Sequence, residues 1–83
     1  MIYRAKIEVG LKPGHTDPEG NTTQRLLKEL GYKVSAVNVS KSYSVQIQAS
    51  SLQEAKAKAE EMAKRLLANP TKDNYSIAVE EQK

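Results

Sequence analysis

The chain has 83 residues, with 13 basic and 10 acidic side chains and a formal charge of +3. A domain of this size buries only about 60–65% of its unfolded surface. The absence of Cys excludes disulfides and thiolate zinc sites as reinforcement, so self-association is the expected source of extra stability. The mild positive charge permits an anionic partner without indicating one. No repeat, linker or low-complexity segment interrupts residues 1–83, which read as a single domain.

Met1 to Val9, MIYRAKIEV, alternates charged and apolar residues, which fits neither a signal peptide nor a membrane span and agrees with a cytoplasmic protein. Tyr3, Ala5, Ile7, Val9 and Leu11 share odd parity against Arg4, Lys6 and Glu8, the period of a strand with one buried face. The stretch LKPGHTDPEG, Leu11 to Gly20, then gathers two prolines, two glycines and His15, the only histidine. Asp17-Pro18 starts a helix, because the carboxylate accepts backbone N–H groups and proline suits the first helical position. Thr23, Leu26, Leu27 and Leu30 form one apolar stripe, and Gly31 ends the helix.

Residues 34–49 admit two readings. Val37, Val39, Tyr43, Val45, Ile47 and Ala49 keep one parity through Ser40-Lys41-Ser42, a weak turn. The region is either a hairpin or one long strand that bends near Lys41 and is shared between protomers. Ser51-Leu52-Gln53-Glu54 is a capping box opening a second helix. Leu52, Ala55, Ala59, Met62, Ala63 and Leu66 make its apolar stripe, and Asn69-Pro70 stops it. Tyr75, Ile77 and Val79 alternate with Ser76, Ala78 and Glu80 in a last strand. The order predicts an α+β two-layer sandwich, a βαββαβ ferredoxin-like pattern with two helices on one face of an antiparallel sheet.

Chemistry finds little support. His15 has no second His near it in sequence, and a general base needs a positioned partner, so a solvated loop residue is the stronger reading. The glycines of the loop match neither a Walker motif nor a dinucleotide fingerprint, and Pro13 and Pro18 remove amides an anion would use. No catalytic, cofactor-binding or metal-binding residue is expected. An RNA-recognition module would need exposed aromatics on its sheet, yet Tyr43 shares a face with Val45 and Ile47. The Lys and Arg residues of the second helix have i,i+4 partners: Glu54–Lys58, Glu60–Lys64 and Glu61–Arg65. A small basic RNA-binding module stays as the alternative.

Leu11-Lys12-Pro13-Gly14, Asp17-Pro18, Gly20, Leu30-Gly31-Tyr32, Lys41, Leu66-Leu67-Ala68-Asn69-Pro70 and Tyr75, in that order, carry a likeness over essentially the whole chain. The set resembles the PurS family, small subunits of phosphoribosylformylglycinamidine (FGAM) synthase in purine biosynthesis. The chain departs from the family pattern at Thr22, Thr23 and Ser40. The resemblance implies a non-catalytic bridge between a glutaminase and a large synthetase subunit, with ATP, and Mg beside it, bound by the synthetase. It also implies a homodimer or tetramer. Lys12, Pro13, Gly14, Asp17, Pro18, Gly20 and Lys41 are the candidate partner-docking residues, although the loop reads equally well as a stiff connector. The second strand would lie at a sheet edge without Lys, Glu or Pro in its interior, so Val37, Val39 and Tyr43 are the candidate dimer contact.

Overall fold

The computed structural model describes residues 1–82. Strand β1 (Ile2–Leu11) lies at the centre of a three-stranded sheet, flanked by β2 (Lys41–Gln48) and β3 (Asp73–Glu81), both antiparallel to it. Ile7 is the pivot, opposite Tyr43 on one side and Ile77 on the other. Because the side-chain period is two, this register puts Tyr3, Ala5, Ile7, Val9 and Ile47 on one buried face.

Helix α2 (Leu52–Met62) covers that face. Ala55, Ala59 and Ala63 are fully buried, and their small side chains bring the helix close to the strands. The Ser51 hydroxyl accepts the Glu54 N–H at 3.1 Å, the expected cap. The Glu54 carboxylate reaches back one residue further than a standard capping box, to the backbone N–H of Ser50 at 3.2 Å. The three expected ion pairs form on the outer face, Glu54–Lys58 at 3.5 Å, Glu60–Lys64 at 3.6 Å and Glu61–Arg65 at 4.0 Å.

The end of this helix differs from the expectation. Residues Ala63–Leu67 form a π-helical turn, closed by the Ala68 N–H donating to the Ala63 carbonyl at 2.8 Å. The extra residue in the turn breaks the 3.6-residue stripe, so Leu67 packs on the core and Leu66 is left 83% exposed.

Helix α1 (Pro18–Glu29) is punctuated as the sequence predicts. Asp17 caps it, and Gly31, at φ 96°, ends it in a Schellman motif. In that motif Gly31 N–H donates to Lys28 and Tyr32 N–H to Leu27. The ferredoxin-like order and two-layer class hold, but the placement within one chain needs a correction. Helix α1 has no packed interface with the sheet or with α2 among the described residues. Of the two readings of residues 34–49, the hairpin does not form: Ser40 lies beside Gly10, one step on from the Val9–Lys41 pair, so the segment enters β2 in line and does not turn back along it. The physical reason is the weak turn at Ser40-Lys41-Ser42, which lacks the glycine or asparagine that a tight reversal needs. The molecule is therefore elongated, 51 × 30 × 14 Å, with a radius of gyration of 16.2 Å. A compact domain of this length has about 12 Å.

Candidate partner-docking site

The conspicuous loop between β1 and α1 sits at one end of the sheet and is held from three directions. Lys12 N–H donates to the Lys72 carbonyl at 2.7 Å, extending the β1–β3 ladder by one bond. Its ammonium donates to the Pro70 carbonyl at 2.8 Å. Gly14 takes φ 91°, a conformation other residues adopt only at a cost, and the His15 N–H closes the turn onto Lys12. Asp17 then fixes the far end. Its carboxylate accepts the Gly20 N–H and the Val39 N–H, each at 2.9 Å. These two amides, Val39 first, hold its carboxyl below the usual carboxylate range.

The structure brings the sequence-predicted residues together. Lys12, Pro13, Gly14 and Asp17 line one open groove with Asn38 and Val39. Lys41, at the start of β2, borders an adjoining groove with Asp17, Glu19 and Lys72. Gly20 is buried under Val37, and Pro18 occupies the first helical position. Of the candidate dimer residues, Val37 and Val39 lie against the first turn of α1, whereas Tyr43 lies on β2.

One wall of the site was not anticipated. Residues 69–73, read from sequence only as a helix stop, are themselves tightly built. Asn69 N–H donates to the Asp73 carboxylate at 2.8 Å, and the Asn69 side chain accepts the Thr71 N–H at 2.9 Å. Asn and Asp bracketing a proline was the signal, since both favour local side-chain-to-backbone bonds.

The chemistry of the site is that of a shaped surface. Among the described residues no three His, Cys, Asp or Glu side chains cluster to hold a metal. His15 is exposed, and among the described residues its side chain makes no hydrogen bond that would position it as a base. The outer face of the sheet presents Arg4, Lys6, Glu8, Ser44, Gln46 and Glu80, with Arg4 paired to Glu80 at 2.6 Å. Among the described residues no aromatic side chain stands on that face to serve as a platform for stacking bases.

Comparison with known proteins agrees over nearly the full length. The family described as PurS: phosphoribosylformylglycinamidine (FGAM) synthase matches residues 4–81. The phosphoribosylformylglycinamidine synthase subunit PurS of Methanocaldococcus jannaschii is 39% identical over 80 residues, covering 95% of this chain and 96% of that protein. The corresponding subunit of Archaeoglobus fulgidus is 42% identical over 74 residues, covering 88% and 92%. Among solved structures, Thermus thermophilus PurS superposes with a TM-score of 0.91 at 37% identity and covers both chains completely. A chain of the PurLQS structure from Thermotoga maritima superposes at 0.88, with 25% identity, covering 96% of this chain and 99% of that one. The chain belongs to the PurS family of FGAM synthase subunits.

Proposed function

We propose that this protein is the small, non-catalytic subunit of an FGAM synthase, bridging the glutaminase and the ATP-dependent synthetase. In this role it assists the passage of ammonia from glutamine to formylglycinamide ribonucleotide, giving formylglycinamidine ribonucleotide. The observation that carries the reading is family membership across residues 4–81, reinforced by the likeness to a chain of the PurLQS structure. ATP, with its magnesium, is bound by the synthetase. The complex works in the cytoplasm, in keeping with a chain in which no described helix is long and apolar enough to cross a membrane.

Lys12, Pro13, Gly14, Asp17, Pro18 and Lys41 form the docking edge, and Gly20, buried under Val37, shapes it from beneath. Support comes from their convergence at one end of the sheet and from a loop shape preset by proline, glycine and backbone bonds. A preset loop loses little conformational freedom on binding. The test is co-purification: the tagged chain should retain both the synthetase and the glutaminase of its own organism. Retention of neither partner would reject the reading.

A further inference from the structure

Nothing in the local sequence calls for a π-helical turn at the end of α2. Ala63-Lys64-Arg65-Leu66-Leu67 are all good α-helix formers, with no Gly, Pro or β-branched residue among them. The pairs Glu60–Lys64 and Glu61–Arg65, at 3.6 and 4.0 Å, have the i,i+4 spacing that an α-helix supports. The wide turn forms all the same. Such turns are rare, and tertiary structure must supply what the local sequence does not.

Two adjacent leucines make the α and π registers equivalent for the core. At about 3.6 residues per turn, an α-helix would place Leu66 directly over Ala55 and Leu67 about a quarter turn aside. Ala55 is fully buried, so Leu66 would be the one to enter. The π turn holds one residue more, and Leu67 takes that place while Leu66 stands 83% exposed. Either register buries one leucine and leaves the other in water, so the hydrophobic effect does not choose between them.

The choice is made beyond the helix. Ala68 is extended and buried, and its N–H donates to the Ala63 carbonyl at 2.8 Å. The Asn69 carbonyl accepts the N–H groups of Lys72 and Asp73 at 3.2 and 2.8 Å, and the Asn69 N–H donates to the Asp73 carboxylate. Lys12, at the end of β1, grips this turn twice. Its ammonium donates to the Pro70 carbonyl at 2.8 Å and its N–H to the Lys72 carbonyl at 2.7 Å. The exit of α2 is thereby fixed to the central strand, and Ala68 alone spans from Leu67 to the fixed turn. An α register would put Leu67 as well as Ala68 into that link.

We infer that the end of α2 is a two-register switch latched by the Lys12 ammonium. With Lys12 on Pro70, the turn is π-helical, Leu67 is inside and Leu66 outside. With the latch released, residues 63–67 rewind into an α-helix and Leu66 enters the core. The Ala63 carbonyl then accepts the N–H of residue 67 in place of that of Ala68. Two packings of one segment that bury the same side-chain type lie close in free energy, so a single bond can set their populations.

The register alters a surface. In the π form Leu66 joins Val45 and Met62 in an apolar depression rimmed by Lys58, Glu61 and Arg65. The α form withdraws it. Because Lys12 belongs to the proposed docking edge, a partner that draws its ammonium off Pro70 would change that distant face. This last consequence rests on the docking reading; the switch itself belongs to the chain alone.

The test is made on the purified, isotope-labelled chain, where hydrogen-bond scalar couplings in NMR identify the donor to the Ala63 carbonyl. The native chain should show Ala68. Leu67→Ser should move the donor to position 67 and keep the fold, because Leu66 fills the vacated place. Retention of Ala68 as donor, or loss of the fold, would overturn the switch. Lys12→Met keeps the aliphatic stem and removes the latch. It should speed exchange of the Ala68 amide roughly tenfold or more by raising the population of the open form. Unchanged Ala68 exchange would overturn the role of Lys12.

Discussion

The carboxylate of Asp17 accepts the N–H of Val39, twenty-two residues away, at 2.9 Å while its other oxygen caps α1. One side chain therefore starts a helix and fastens the segment leading into β2. This makes the β1–α1 loop part of a rigid unit, and its rigidity sets the first two predictions.

Asp17 should produce an acid-sensitive step in stability. Its folded pKa is depressed, so its contribution is present above the ordinary carboxylate range and lost as pH falls through the folded value. Urea unfolding of the native chain and Asp17→Asn should differ at neutral pH, with the native chain the more stable. The two should converge on acidification. A difference that stays constant down to acid pH would show that the charge on Asp17 does not matter.

Gly20→Ala should destabilise although it lies in a helix. The substitution normally stabilises a helix interior by about 1 kcal/mol, but here the new methyl would meet the Val37 carbonyl at 2.3 Å. We expect a net loss of about 1–2 kcal/mol, from overpacking against backbone, and a midpoint lower by roughly 4–15 °C for a domain of this size. Thermal unfolding followed by circular dichroism measures it, and amide exchange at Val39 should accelerate.

Tyr75 reports the contact between β3 and α2. Its hydroxyl donates to Glu60 at 2.6 Å, and that bond to a carboxylate raises its pKa above the usual phenol value. Being raised, it contributes stability at neutral pH that is lost as pH rises through the folded value. Compared by phenolate absorbance, Glu60→Gln should ionise one tyrosine at lower pH than the native chain does, and identical titration curves would show that the bond does not form.

The docking edge predicts a split between binding and folding. Lys12→Ala with Pro13→Ala removes the bond to Pro70 and the preset turn while leaving Gly14 in its required conformation. Capture of the synthetase and glutaminase should weaken roughly tenfold or more, about 1.4 kcal/mol, with the circular dichroism spectrum unchanged. Unchanged capture would leave the loop a connector.

The elements whose signals are local were readable from the sequence. Parity placed Tyr3, Ala5, Ile7 and Val9 on the buried face, Asp17-Pro18 and Gly31 bounded α1, and the ion pairs of α2 followed from spacing alone. Two features escaped because they depend on tertiary context. An apolar stripe does not say what covers it, so the exposure of Leu26 and Leu30 could not be read from their spacing. A π-helical turn has no periodic signature over five residues, so Leu66 seemed to continue the stripe that Leu67 completes. The residues proposed for docking fall around two adjoining grooves, but the wall that Asn69 to Asp73 build beside them was hidden behind a proline read as punctuation.

The most direct test of the bridging role compares two nitrogen sources. Formylglycinamidine ribonucleotide formation by the synthetase and glutaminase should be measured with and without this chain, once with glutamine and once with excess ammonium. Omitting the chain should abolish most glutamine-dependent turnover and spare most ammonium-dependent turnover. Equal glutamine-dependent rates with and without the chain would contradict the account.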